Sequence, residues 1–506
     1  MAESSNAFPA DRVASGVAIE TIFKNLREGR IRNLPQRIAV IAQGSTALNA
    51  SYSTDKKQVT RAGNVGAEFG YGCPLHHIAR QLLPVNGDGV GSIPVTLYPL
   101  KDDVSGVAAA GDLTPAGSPT KEASYIIRVN NIDSKQFVIS DGDSVADIVT
   151  AMAEAVNAVL DMPIIAVDAT PGTSTTLDVT AKWEGLTGND IYIEVVGDTT
   201  AGNTFAITQP VGGLVNPAID IALNQFAADH ETLVINAMNI DDETTLDALQ
   251  TFGEGRWDAE VRRPFVALTG NTESDLVLAT SVSDSRPTDR INGQSVLPGS
   301  NELPFVVTAR TVSRIAVLAN DDPANDYVLL PLTGLVAGSD AEQWSSDERD
   351  IAVKAGSSTI EITDNVPTIG DTVTFYNVEQ DVEKAYRFVV DIMKIMTINY
   401  NLDLIFNSPR WRGKPLIPDH QYNTNKNAKK PKNAVTDIRV LIDSLGANAI
   451  ISDTAFAKAN TFAQISESNS KRLNVSSTMK ISGNANVISI DFNWGFYYGT
   501  SAEVTG

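Results

Sequence analysis

Within Phe69-Gly-Tyr-Gly-Cys-Pro-Leu-His-His, the types and spacing of Cys73, His76 and His77 could begin a metal site. A zinc centre needs three or four convergent ligands. The chain holds one cysteine and four histidines, and the other two, His230 and His420, stand at no ligand spacing from the first pair. The glycines of the same run could instead cradle a phosphate, but no dinucleotide fingerprint opens the first strand. Gly413-Lys414 fails as a phosphate loop because Pro415 follows it and Ser408 stands where the first glycine belongs. Asp141-Gly-Asp143-Ser-Val opens like a calcium loop, then places Val145 at the next ligand position, and no glutamate closes it. A helix cap explains it better. No nucleophile elbow Gly-x-Ser-x-Gly occurs, although spacing alone leaves a Ser-His-Asp hydrolase open. The expectation is a chain without cofactor or metal and without an enzymatic centre.

Chemistry of a different kind is concentrated near the C-terminus. Ile488, Ile490, Phe492, Trp494 and Phe496 alternate with Ser489, Asp491, Asn493 and Gly495. This period of two marks a strand with one apolar face. Such a face either closes on its own domain or adds to the open sheet edge of a neighbour. Three aromatics could bury roughly 600 Å², worth about 15 kcal/mol at most. Ordering ten residues costs roughly 10–20 kcal/mol. The segment therefore needs backbone pairing on a template.

The second concentration is electrostatic. The chain carries a net charge of −22, which argues against nucleic acid as a direct partner. Residues 410–439 run the other way, with Arg410, Arg412, Lys414, Lys426, Lys429, Lys430, Lys432 and Arg439 against Asp419 and Asp437. Lys24, Arg27, Arg30, Arg32 and Arg37 make residues 21–37 basic too. An acidic body with basic segments near both ends suits head-to-tail self-association; solvated loops are the alternative.

A length of 506 residues allows three or four domains, and 42% apolar with 20% charged residues describes a globular chain. No apolar run is long enough to predict membrane insertion. MAESSNAFPADR lacks a basic n-region and an apolar core, so no secretory leader is expected. The lone Cys73 excludes an internal disulfide framework.

These features must be positioned by an α/β rhythm. Residues 1–36 read as an extended arm. Arg37–Gly44 and Pro94–Leu100 read as strands, with helical signals over 63–83 between them, giving a first core segment over 37–103. Residues 104–120 are rich in Ala, Gly, Ser, Thr and Pro and read as a linker. It opens an inserted α+β domain, 104–200, with strands at Tyr125–Val129, Gln136–Ile139, Pro163–Val167, Thr176–Thr180 and Ile191–Val196. Ser144 caps its helix. The core resumes over 201–344. Helices are predicted at Asn216–His230, Thr244–Gly253, 273–285 and 303–319, and strands at Thr232–Met238 and Pro264–Gly270. This is the pattern of a doubly wound sheet. A C-terminal α+β domain is expected over 345–486, with strands Ser358–Thr363 and Asp371–Tyr376, a long helix Val382–Asn399 and a helix at 433–445. Residues 464–486 read as a polar stretch, and residues 487–506 form the terminal arm.

Six segments together resemble the contractile-tail sheath proteins of bacteriophages, nearest to the Mu-like group. Val65–Pro84 resembles that group's helix–FGxGS–helix segment, with Cys73 in place of Ser. Gly185–Ile191 (GLTGNDI) resembles the end of its inserted domain, and Arg262–Gly270 (RRPFVALTG) a core strand. Asp322-Pro-Ala-Asn-Asp-Tyr with Leu330-Pro-Leu-Thr-Gly334 is similar to a DPAR…LxLxG segment, although Asn325 and Asp326 replace the usual Arg and Pro. Glu348-Arg349 with Gly356-Ser-Ser-Thr359 and Ser408-Pro-Arg-Trp411 resemble the remaining two, ER…GIST and YPR. The LADDGT-like continuation usual beyond the last is absent after Arg412.

The resemblance implies a subtilisin-like scaffold without protease activity. It implies a homo-oligomer of stacked hexamers forming a helical sleeve around an inner tail tube protein, bounded by baseplate and tail terminator proteins. It also implies a virion tail assembled in the host cytoplasm, and contraction that drives the tube through the cell envelope. The arms would cross to neighbouring subunits, with Ile488, Ile490, Phe492, Trp494 and Phe496 as the exchanged face. The inserted domain would lie outside and the C-terminal domain would face the tube. A contractile bacteriocin or secretion sheath, a hydrolase and a monomeric adhesin are the alternatives.

Overall fold

The computed structural model describes residues 31–198, 200–378 and 386–496; the first thirty residues of the expected N-terminal arm and residues 497–506 lie outside them. The described chain divides into two compact units, one of residues 33–399 with 483–496, the other of residues 31–32 with 400–482.

The larger unit is built on an eight-stranded sheet. In chain order, β1 (Ile38–Gln43) is followed by β2 (Lys57–Val59), α1 (Ala62–Phe69), α2 (Pro74–Leu82) and β3 (Val95–Leu100). An inserted domain follows, comprising β4 (Ala110–Ala116), β5 (Ala123–Val129), β6 (Ile132–Asp133), β7 (Phe137–Ile139), α3 (Val145–Asn157), β8 (Ile164–Val167), β9 (Leu177–Ala181), β10 (Ile193–Gly197) and β11 (Thr204–Val211). The core resumes with α4 (Asp220–Asn224), β12 (Leu233–Asn236), α5 (Glu243–Trp257), β13 (Val266–Asn271), α6 (Leu276–Asp284), β14 (Asn292–Val296), α7 (Pro304–Asp321), α8 (Ser346–Lys354), β15 (Ser358–Thr363) and β16 (Val366–Ile369).

The strand order is β16-β15-β14-β13-β12-β1-β3-β2. The pairs from β3 through β15 are parallel, and β2 and β16 add antiparallel edges. The chain winds outward in both directions from β1 and β12. β1, β3, β12 and β13 are buried throughout, because helices cover both faces of the sheet. On β13, Gly270 faces Pro304 of α7, which also packs on α2. One residue earlier, Thr269 faces away and lies in register with Gln294, which bonds to Ala279 of α6. Val296, two residues on, shares a cluster with Ala279 and Ala352 of α8. Strand alternation thus puts α2 and α7 on one face and α6 and α8 on the other.

Several expectations need correction. The helical stretch 63–83 is two helices, broken where Gly70 and Gly72 take φ of +101° and +82°. The linker at 104–120 contains β4, a central strand of the inserted sheet β11-β4-β9-β8, with Leu113 and Pro115 buried. The insertion runs past residue 200. β11 pairs with β4, and Val107 and Leu214 close its neck with mutual backbone bonds of 3.0 and 3.1 Å. Pro210 disguises β11, and the register shift between Thr208 and Val211 accommodates it. Asn216–His230 contains only the short α4, preceded by Pro217. β14, Asn-Gly-Gln-Ser-Val, is fully buried despite its polar sequence.

The expected start of the C-terminal domain at 345 is also displaced. β15 and β16 extend the core sheet, Ser295 and Val296 of β14 pairing with Ser358 and Thr359. Asp371–Tyr376 is not a strand; Val373 makes one isolated bridge to Phe388. α9 spans Val389–Phe406, and residues 382–385 of the expected helix lie outside the described residues.

The smaller unit contains the last part of α9, then α10 (Pro431–Ala447), β17 (Ile451–Ser452), α11 (Thr454–Ala459), β18 (Thr461–Ile465), β19 (Leu473–Ser477) and β20 (Lys480–Ile481). α10 packs on the β18–β19 hairpin and on β17, which pairs with β20. The 464–486 stretch, read as merely polar, thus supplies two strands. Among the described residues no helix is long and apolar enough to cross a membrane.

Candidate functional site

The Phe69–His77 run is a structural corner. Cys73 is the buried N-cap of α2, where burial pushes its thiol up to about 12. The His76 Nδ1 accepts from the Gly72 amide at 3.2 Å, so that nitrogen is occupied by the turn. Burial lowers the His76 imidazole to about 4, partly opposed by Asp161, and also holds His77 well below the usual imidazole value. A Cβ on Gly72 would stand 2.1 Å from the Met162 carbonyl oxygen of the inserted domain. The glycine is needed for that close approach. Among the described residues no group of three or more His, Cys, Asp or Glu is placed to hold a metal. The Asp141–Ser144 run is a helix entry: Ser144 and Asp147 form a reciprocal capping box on α3.

At the carboxyl ends of β12, β13 and β14, where α/β sheets place ligands, lies a cleft of about 510 Å³. Its charged lining groups are Asp190, Asp241, Glu273 and Glu342, with asparagines and serines between them. Burial and Asp241 raise Asp190 to about 7 against a hydrogen bond from Asn239. The lining holds no histidine, lysine or arginine beside these carboxyls, so it presents no set of the triad kind.

Among the described residues, the terminal segment carries a run of large apolar side chains that stay exposed. Ile488, Ile490, Phe492, Trp494 and Phe496 are 73, 80, 79, 69 and 70% exposed. Residues 483–496 belong to no helix and to no strand ladder of the described residues. The Trp494 and Phe496 rings meet edge to face at 5.1 Å, as two residues on one side of an extended chain can. The segment's root is held: Asn484 receives a hydrogen bond from Lys394 at 2.6 Å, and Asn486 reaches Asp326 at 2.5 Å.

The basic segment is a closed excursion between α9 and α10. Asp437 accepts from Arg410 at 2.8 Å and from the Trp411 indole at 2.9 Å. Arg412 bonds Asn407 at 3.0 Å, and the Lys429 ammonium lies 5.5 Å above the Trp411 ring. Lys430 donates to the carbonyls of Asp419 and Gln421, at 3.3 and 2.5 Å. Four of the seven candidates, Arg410, Arg412, Lys429 and Lys430, therefore shape the loop. Lys426 and Lys432 are exposed and Lys414 is half-exposed. In the early basic segment, Arg37 pairs with the buried Glu231 at 3.3 Å.

Sequence reasoning missed Lys394, Asn484, Asn486 and Asp326. The only available signal was the departure at Asn325-Asp326 from the resembling motif.

No family model matches the chain, and no curated protein matches its sequence. Among solved structures it is similar to the sheath tail protein from Desulfitobacterium hafniense, with a TM-score of 0.46 and 13% identity over 92% of this chain and 100% of that one. The sheath tail protein from Listeria innocua gives a TM-score of 0.48 and 11% identity over 90% and 94% of the two chains. An extracellular contractile injection system sheath complex in its contracted state gives 0.47 and 11%, over 96% and 99%. These neighbours are sheath proteins. The chain's own mixed α/β architecture, with an insertion between β3 and β12, is fixed by its strand pairings.

Proposed function

We propose that this chain is the repeating subunit of a contractile sheath. Copies stack as hexamers and polymerise helically around an inner tube. The sleeve ends on baseplate and terminator proteins, and contraction drives the tube through a cell envelope. The observation that carries this reading is the aromatic face from Ile488 to Phe496, which stays exposed within one copy of the chain. A strand with this much apolar surface gains its pairing partner in another copy. Such a heterologous contact does not close on itself and therefore propagates. The six ordered sequence segments support the same reading. In it the α/β core is a scaffold rather than a subtilisin-like hydrolase, the basic loop meets an acidic surface, and energy is stored in assembly. The setting is a virion tail put together in a host cytoplasm; capsid and terminase genes beside this one would distinguish it from a contractile bacteriocin.

The test is electron microscopy of the purified full chain, alone and with its tube protein, beside a chain lacking residues 487–506 and a Trp494→Asp variant. Sleeves from the full chain, with folded but unassembled variants, support the reading. A variant that assembles normally, or a full chain that stays monomeric beside the tube, overturns it. Trp494→Asp acts by placing a charge in an apolar contact.

A further inference from the structure

The exposed segment begins abruptly. Val487 is 94% exposed, whereas three residues earlier Asn484 is tied to a fully buried charge. The Lys394 side chain is 0% exposed, and its ammonium donates to Asp391 at 3.2 Å and to the Asn484 side-chain oxygen at 2.6 Å. A buried ammonium holds its acceptors firmly, because losing one leaves a donor unsatisfied away from water. The other end of Asn484 donates to the Ala324 carbonyl at 2.9 Å, and Asn486 donates to Asp326 at 2.5 Å. Both therefore reach the turn that follows α7.

We propose that Lys394, Asn484 and Asp326 form a clasp that fixes the root of the terminal segment, so that donation to a second copy uses chain only from Val487 onward. The inference rests on the strand-donation reading and adds to it the residues that position the donor. A fixed root shortens the flexible tether and holds its exit point. Both raise the effective concentration of the strand at its acceptor without adding any contact there. Ordering of residues 483–486 is then complete before assembly rather than paid during it.

The test compares full-length wild type with Asn484→Ala and, separately, Lys394→Met. The rate of cleavage within residues 483–486 by a non-specific protease is measured in unassembled chains by mass spectrometry. The critical concentration for assembly is measured by light scattering. Inhibition by a synthetic peptide of residues 487–496 reports on the acceptor. The expected result is cleavage within 483–486 at least threefold faster in Asn484→Ala, a critical concentration at least threefold higher, and unchanged peptide inhibition. Cleavage and assembly like wild type would overturn the clasp. So would a parallel loss of peptide inhibition, which would make these residues part of the acceptor. Should Lys394→Met fail to fold, Asn484→Ala decides alone, since Asn484 is only half-buried. A wild-type chain that never assembles sinks the donation reading, and the cleavage comparison still decides whether the root is held.

Discussion

The side-chain amide of Asn130 donates to the main-chain oxygen of Asn301 at 2.8 Å and to that of Asp190 at 3.1 Å. Asn130 occupies the tight turn between β5 and β6, at φ +44°, while Asn301 lies on the core loop ahead of α7. One asparagine thus seats the inserted domain on the core, and two carboxyls lie at that seam. Burial pushes Glu302 up to about 7, against the hydrogen bond from the Val336 amide. Asp190, raised to about 7 by burial and then by Asp241, sits opposite.

The seam should loosen as pH rises. Unfolded carboxyls titrate near 4. Between about 4 and 7 the folded chain keeps two protons that the unfolded chain has released, so these groups make stability fall with pH across that window and level off above it. From pH 5 to 7 the melting temperature of wild type should carry a downward contribution from these two groups, set against the upward one of the buried His76 and His77. Asp190→Asn and Glu302→Gln should each remove part of it. If the double variant keeps the full wild-type slope, these carboxyls do not hold the seam.

Gln294 on β14 should be less replaceable than its neighbours suggest. Its amide nitrogen donates at 2.8 Å to both the Ala279 carbonyl and the Ser357 hydroxyl, and its oxygen accepts from Asn271 at 3.2 Å. Gln294→Leu would leave several buried polar atoms unmatched, each costing roughly 1–3 kcal/mol. Urea unfolding should show a loss on the order of 3 kcal/mol or more. A change under about 1 kcal/mol would mean that water or repacking satisfies them.

Gly72→Ala tests the corner between core and insertion. The new methyl would meet the Met162 carbonyl oxygen at a backbone that already holds φ +82°. Clash and strain together should cost about 2–4 kcal/mol. Cys73→Ser, next door, should cost less, and purified protein should carry no stoichiometric zinc in either form. Zinc lost on Cys73→Ser would restore the metal reading of this run.

What the sequence made legible follows from how each element is buried. β1, β3 and β13 are apolar runs because both sheet faces are covered, and they read directly. β14 is equally buried, yet its polar Asn292, Gln294 and Ser295 do not read as a strand; Asn292 and Gln294 bond to carbonyls of α5 and α6 that no local pattern announces. β11 was hidden by Pro210, and the neck at Val107–Leu214 by the small residues around it. The alternation over Ile488–Phe496 can be seen in the sequence because it needs no partner, whereas what that face pairs with cannot. Nor can its root, since Lys394 and Asn484 meet across ninety residues.

The last prediction concerns the basic loop. Lys430 and Lys429 hold the loop's own shape, through the Asp419 and Gln421 carbonyls and the Trp411 ring, so reversing them mixes folding with binding. Lys414 and Lys426 of the same loop, with the exposed Lys432 in the first turn of α10, carry the cleaner test. Reversing these three to Glu should leave circular dichroism and melting near wild type. It should weaken association with an acidic partner surface, the inner tube or a second copy. Each exposed pair is worth only about 0–1 kcal/mol, but a polymer repeats it in every subunit. The loss should be large at low salt and shrink at high ionic strength, where screening has already weakened the wild type. Cosedimentation of sleeve and tube protein across a salt series measures both trends. Unchanged association of the triple variant at low salt would show that the loop's charge faces solvent.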